Sequence, residues 1–165
     1  MPAASFLLRI FMDHLKRIRD MLSGAGVDFK EIHHPPTLTS EASAVARGEE
    51  LRIGGKAIVM KLDENYKLFV IAADRKISST KIKKHFSVRK LRFASPDELL
   101  HITGLVPGSV PPFGSPILDL EIFVDTSIEL NEKIAFTAGS LTDSVVMRVT
   151  DYLKVSGAVI FDFSE

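Results

Sequence analysis

The sequence predicts one domain of the mixed α/β (α+β) class, a curved β-sheet flanked by helices. Three observations carry this. At 165 residues the chain has the length of a single domain. With 45% hydrophobic and 25% charged residues it can fill a core and lies outside the compositions of disordered chains. Helix-period and strand-period segments interleave without strict alternation, which points to a mixed sheet. No repeat or linker interrupts them. Residues 1–26 read as an N-terminal helix packed on a domain of residues 27–165.

The elements follow in order. Phe11, Leu15, Ile18, Leu22 and Ala25 recur at helical spacing, and Gly24 and Gly26 supply the stop. Residues 27–33 alternate as a short strand, ended by Pro35 and Pro36. Thr39 or Ser40 caps a short helix that carries Ser43 and Ala44 and stops at Gly48; Gly54-Gly55 marks a turn. The apolar runs 57–60 and 68–73 flank Asp63-Glu64-Asn65 as a hairpin. Ser78 or Ser79 opens a helix through Phe86, and Ser95 caps another with Pro96 at its first position. Strands are expected over 117–124, 133–137, 144–149 and 158–161, with a short helix near 150–155.

Composition excludes several kinds of function. The 21 Lys and Arg cancel the 21 Asp and Glu, so no overall field draws the chain to a polyanion and any such site must be local. The absence of cysteine excludes disulfides, thiolate metal sites and cysteine nucleophiles. The run Phe6 to Met12 is broken by Arg9 and followed at once by Asp13 and Lys16, unlike a signal peptide. No apolar stretch approaches the ~20 residues a membrane span needs. A soluble, cytoplasmic protein is expected.

Residues 104–116 cannot be regular structure, since four prolines and three glycines fall within them. The N–H groups of Gly108, Ser109 and Val110 are then expected to be free, and such a loop can aim several at one oxygen; a rigid cover over the core is the other reading. Lys56 begins a strand on the same face as Ile58 and Met60, as a site lysine or a snorkelling one. Arg75, Lys76, Lys81, Lys83, Lys84, Arg89, Lys90 and Arg92 run without an intervening acid, as a phosphate-binding stretch or a solvated face. Glu31, His33 and His34 match no metal spacing, so no metal and no cofactor are expected. His14, His85 and His101 read as surface residues. No nucleophile elbow, Walker loop or dinucleotide fingerprint occurs.

Four segments stand in a characteristic order. His34-Pro35-Pro36-Thr37 with Thr39-Ser40-Glu41 comes first, then Gly55-Lys56-Ala57-Ile58-Val59-Met60. The loop from Gly104 to Gly114 follows, and Ala138-Gly139-Ser140 comes last. With these, the chain from about Val27 onward resembles the YbaK / prolyl-tRNA-synthetase-associated editing-domain family. The resemblance implies a YbaK-like fold and a free-standing enzyme that deacylates misacylated tRNA, with a small amino acid on tRNA for proline. It implies Lys56 as the essential side chain, holding ester or ribose oxygens, and Gly108, Ser109, Val110, Pro111, Pro112, Phe113 and Gly114 as the loop around the carbonyl. His34, Thr37, Thr39, Gly139, Ser140 and Ser144 are the implied pocket groups. Thr137 stands where relatives often carry asparagine, which leaves substrate choice open. On this reading Lys81, Lys83, Lys84, Arg89 and Lys90 contact tRNA. Aminoacyl-tRNA is the expected partner and a synthetase a candidate one, without membrane or DNA. Two alternatives remain at this point: a non-catalytic module gripping aminoacyl-tRNA or a synthetase, and a sensor of free amino acid.

Overall fold

The computed structural model describes the backbone of residues 3–165 and the side chains from His14 onward; the side chains of Phe6 to Met12, Phe11 of the expected helical seam included, lie outside the described residues. The first helix, α1, runs Ala3–Gly24. Ile18 and Leu22 of its seam are fully buried, while Ala25 falls just past its end.

Strand β1 (Phe29–His33) pairs antiparallel with β7 (Asp143–Arg148), which pairs antiparallel with β6 (Lys133–Thr137). The larger sheet has the order β4-β2-β3-β5-β8, from Leu91–Phe93, Gly55–Leu62, Asn65–Ala72, Ile122–Asp125 and Val159–Phe161. Its β4, β2 and β3 are antiparallel, whereas β3, β5 and β8 run parallel. The class is the mixed α/β one expected, but the sheet is divided in two, and a bridge between Gly54 and Ala135 joins the parts. Helices α2 (Ser40–Arg47), α3 (Ser79–Phe86), α4 (Pro96–Thr103), α5 (Thr126–Glu129) and α6 (Val149–Ser156) flank them.

Both faces of the larger sheet are covered, which explains the unbroken apolar run of β3. Val59, Leu68, Val70 and Val124 point to one core with Ile18, Leu22, Phe113, Phe136 and Tyr152. Met60, Leu62, Phe69, Ile71 and Phe123 point to the other with Ile82 and Phe163. The strand expected over 117–124 starts only at Ile122. Ile117 and Leu118 are buried, but both give their N–H groups to the carbonyl of Gly114, so they turn instead of pairing. Strand β4 and helix α5 were not expected. Helix α5 exists because the buried Asp125 caps it, accepting from Ser127 N at 2.9 Å, and its other oxygen accepts from Phe163 N at 2.7 Å.

His14 is a second correction. It is buried, because Gly139 passes directly beneath it. Gly139 has φ +86°, and a Cβ there would lie 2.6 Å from the Cβ of His14. The Ala138-Gly139-Ser140 turn therefore seats α1. His85 and His101 are exposed as expected.

Candidate functional site

The first residues of β2 enter a cleft of about 210 Å³ between α2, the start of β2 and the 108–110 part of the long loop. Gly55 lets the two sheets meet there, since a Cβ on it would sit 2.6 Å from Cδ1 of Ile134. Lys56 is consequently the first side chain that β2 contributes to the cleft. Its Nζ donates to the carbonyl of Arg75 at 2.9 Å, which holds the ammonium and leaves further protons for a ligand. Burial lowers its pKa, against the opposing pull of Glu41 and Asp74.

The loop is clamped from behind. Tyr152 Oη donates to the carbonyl of Pro112 at 2.7 Å, and the buried Phe113 meets Phe136 and Tyr152 edge-on. Gly108 and Val110 line the cleft, and among the described residues their N–H groups have no partner. Ser109 differs from expectation. Its N–H is spent within the loop on the carbonyl of Val106 at 3.1 Å, and its Oγ donates to the same oxygen. Pro111, Pro112, Phe113 and Gly114 are buried behind the cleft wall.

Helix α2 forms the facing wall. Thr39 caps it, accepting from Ala42 N at 3.1 Å, and the buried hydroxyls of Thr37 and Ser43 are bonded at 2.8 Å. From its last turn Arg47 reaches into the cleft. Its Nε donates to Ser144 Oγ at 2.9 Å and its Nη1 lies 3.5 Å from the carbonyl of Ala135. Ser144 Oγ is in turn 2.8 Å from His34 Nε2, and His34 Nδ1 is 2.9 Å from the carbonyl of Pro35. A carbonyl only accepts, so Nδ1 carries the proton toward Pro35 and the hydroxyl of Ser144 donates to Nε2. Burial lowers the Arg47 pKa to about 10, and among the described residues no carboxylate pairs with it.

Of the residues named from sequence, Thr37, Thr39, Lys56, Gly108, Val110 and Thr137 come together on the cleft wall. His34 and Ser144 lie behind Arg47. Gly139 and Ser140 lie elsewhere, where Ser140 Oγ donates to Asp143 Oδ2 at 2.6 Å. Burial pushes the Asp143 pKa up, and the bonds from Ser140, His33 and Thr142 outweigh it, so the carboxyl stays below its usual range. Lys83, Arg89 and Lys90 line a groove of about 480 Å³ with Lys61 and Arg92 at the far end of β2. Lys84 stands on α3 outside it, and Lys81 is held by Asp162 at 2.9 Å and by the carbonyl of Ser164 at 2.7 Å.

Sequence reasoning missed Arg47 and Ser43 as site residues. A signal was present: positions 43, 44 and 47 share a helix face, and an arginine beside two small residues on a buried face implies a sheltered charge. The described residues lining the cleft include no carboxylate and no histidine. Among the described residues no three His, Asp or Glu side chains are grouped to hold a metal, and no helix is long and apolar enough to cross a membrane.

Residues 34–155 match the aminoacyl-tRNA editing domain family. The multifunctional Ser/Thr-tRNA deacylase ProXp-y of Escherichia coli (strain K12) is 33% identical over 153 residues, covering 90% of this chain and 91% of that protein. The proline–tRNA ligase of Bacillus licheniformis is 30% identical over 102 residues, which are 62% of this chain and 18% of the ligase. A crystal structure of a candidate trans-editing enzyme for prolyl-tRNA synthetase superposes with a TM-score of 0.80 at 23% identity, over 92% of this chain and 97% of that one. That likeness bears on the fold alone.

Proposed function

This chain belongs to the aminoacyl-tRNA editing domain family, and we propose that it hydrolyses tRNA charged with a small amino acid, with Lys56 and the 108–110 backbone as its catalytic face. One observation carries the assignment: a small cleft brings the half-buried ammonium of Lys56 together with the unpartnered N–H groups of Gly108 and Val110.

The chemistry follows from the substrate. An aminoacyl ester is already activated, so it needs a placed water and stabilisation of developing charge more than a strong nucleophile. Water attacks the ester carbonyl carbon, and the carbonyl electron pair moves onto its oxygen. The Gly108 and Val110 N–H groups take that oxyanion, and Lys56 takes the ester or ribose oxygen. Collapse breaks the bond to the terminal ribose oxygen, which receives the proton that water gives up. Free amino acid and a tRNA with a free terminal hydroxyl leave. A cleft without a carboxylate or histidine suits a water oriented by the neighbouring ribose hydroxyl of the tRNA itself.

The groove at the far end of β2 supports the tRNA reading. Lys56 and Lys61 are five positions apart on one strand, roughly 17 Å at a strand rise of about 3.3 Å per residue. The odd spacing turns the two side chains to opposite faces of the strand, so Lys83, Arg89 and Lys90 would take phosphates of a part of the tRNA that passes round the edge of the sheet from the ester at Lys56. Tests of the amino acid and tRNA start from proline, as the resemblance to proline–tRNA ligases suggests, and include serine and threonine, as the Escherichia coli relative suggests. A synthetase that hands over its mischarged product is the candidate protein partner.

The test is deacylation of alanyl, cysteinyl and seryl esters of tRNA for proline, and of seryl and threonyl esters on their own tRNAs, by wild type and Lys56→Ala. Turnover of one or more esters, reduced roughly 100-fold or more in the variant, is expected. Binding without turnover of any ester would instead make this chain an aminoacyl-tRNA binding module.

A further inference from the structure

Arg47 is the charged group that the catalytic scheme leaves unused. It sits on the cleft wall, and its Nε and Nη1 face protein oxygens of Ser144 and Ala135. Its Nη2 has no protein partner among the described residues, and the same is true of any carboxylate for its charge. A guanidinium has five N–H donors in a fixed fork and no acceptor. Nη2 is open to solvent, so a ligand that fills the cleft and displaces that water must offer it an oxygen or leave it unpaired at a cost. Beside it, one turn back on the same helix, Ser43 shares a hydrogen bond with Thr37. The wall therefore offers donors from the arginine next to hydroxyl oxygens that can accept.

We infer that Arg47 is a specificity-determining residue that reads an oxygen on the aminoacyl side chain, so that the cleft takes an amino acid with a side-chain hydroxyl in preference to one with a bare methyl. The inference rests on the cleft being the aminoacyl site. A hydroxyl both accepts and donates. It can take an N–H from Arg47 and give its proton to the Thr37–Ser43 pair, completing both. The methyl of an alanyl ester can do neither and leaves Nη2 without a partner. A site built to bond a substrate hydroxyl rejects the analogue that lacks it far better than an apolar pocket separates shapes. A carboxylate side chain would meet the fork, but it must shed the hydration of a full charge to enter the cleft, which a hydroxyl need not.

The remaining contacts of Arg47 give it a second, structural duty. Its bond to Ser144 Oγ orients that hydroxyl toward His34 and ties α2 to β7 and to the residue that follows β1. Loss of this duty would weaken every ligand alike. The ratio between two ligands differing by one oxygen isolates the reading role.

The probes are the non-hydrolysable amides 3′-seryl-, 3′-alanyl- and 3′-aspartyl-amino-3′-deoxyadenosine, titrated calorimetrically into the full chain. Wild type is expected to bind the seryl amide on the order of 10- to 100-fold more tightly than the alanyl amide, the span of one hydrogen bond to a charged group. The aspartyl amide should bind more weakly than the seryl one. In Arg47→Met the seryl-to-alanyl ratio should fall to within about threefold of one. Arg47→Gln, which can keep a bond to Ser144, should show the same fall and serves if the methionine variant does not fold by circular dichroism. A wild type that does not discriminate, binds neither amide, or prefers the aspartyl amide overturns the inference, as does an unchanged ratio in the variants. The hydrolase reading fails separately, if the amides bind as expected but no tRNA ester is turned over.

Discussion

Reversing two charges in the groove at the far end of β2, with Lys83→Glu and Arg89→Glu, tests whether that groove holds phosphates. Five cations line it, but they are unequal. Arg92 is clamped to Glu98 through Nη1 at 2.6 Å and Nη2 at 3.0 Å, and Lys61 lies 3.9 Å from Glu64. Lys83, Arg89 and Lys90 have no ion-pair partner among the described residues. Asp63 does not neutralise them through their side chains, because its carboxylate accepts from the backbone N–H of Arg89 at 3.3 Å and of Lys90 at 3.0 Å. If each of the three cations displaces one counterion, they contribute about −2 to −2.7 to the slope of log affinity on log salt. Their share of affinity then falls roughly 15- to 40-fold between 50 and 200 mM salt, and at most about 3-fold in the double variant, where one cation is left and two glutamates oppose it. Fluorescence anisotropy of labelled tRNA across a salt series reads this directly. Lys81→Ala is the control: its ammonium is already engaged by Asp162 and Ser164, so the slope should stay. Equal slopes for wild type and the double variant would return the groove to a solvated surface, and a slope change in Lys81→Ala would show that free charges were misidentified.

Three further outcomes are expected. Burial lowers the Lys56 pKa, and a cation with a lowered pKa loses its proton earlier as pH rises. Binding of an aminoacyl amide should therefore weaken at a pH below the ordinary lysine value of 10.5, a limb absent from Lys56→Met, and binding flat to that value would remove the charge from the mechanism. Asp125→Ala takes away both the cap of α5 and the partner of Phe163 N; it should cost about 2–4 kcal/mol, seen as a melting point lowered by roughly 5–12 °C. Tyr152→Phe keeps the ring against Phe113 but leaves the carbonyl of Pro112 unpaired. It should cost about 1–3 kcal/mol of stability and lower kcat more than it raises KM, whereas an unchanged kcat would show that this bond does not position the loop.

The sequence made most elements legible where periodicity and caps agreed. Thr39, Ser78 and Ser95 each cap the helix they were expected to open. It misled where burial and pairing part company. Ile117 and Leu118 are as apolar as strand residues, yet the carbonyl of Gly114 captures their N–H groups, a bond no alternation pattern encodes. His14 looked like a surface residue because the glycine beneath it is 125 positions away in sequence. In the candidate site, the loop stood out because proline fixes φ and glycine admits conformations closed to other residues, whereas Lys56 stood out only by its place in segments that resemble a known family. Arg47 was not, because its environment comes from β6 and β7 rather than from its own helix. Ser109 shows the same limit in reverse: its N–H is consumed three residues away, inside the loop that was expected to free it.

The cleft exists because the fold places a gap where its two sheets join. Gly54 bridges to Ala135, and Gly55 has no room for a side chain against Ile134, so backbone meets backbone at that seam. Side chains resume at Lys56, at the edge of the seam, which puts an ammonium where the packing of either core has ended. The 108–110 backbone closes the opening from the side, held stiff by Tyr152 and Phe113 behind it. Stabilisation of an oxyanion requires donors that do not reorganise as charge develops. On the proposed reading the donors are backbone N–H groups on a proline-bounded loop anchored to a buried ring, and the cation stands at the start of a strand. Such an arrangement is poor at abstracting protons, since the described residues of the wall include no carboxylate and no histidine, and well suited to an ester whose own ribose hydroxyl can direct the water.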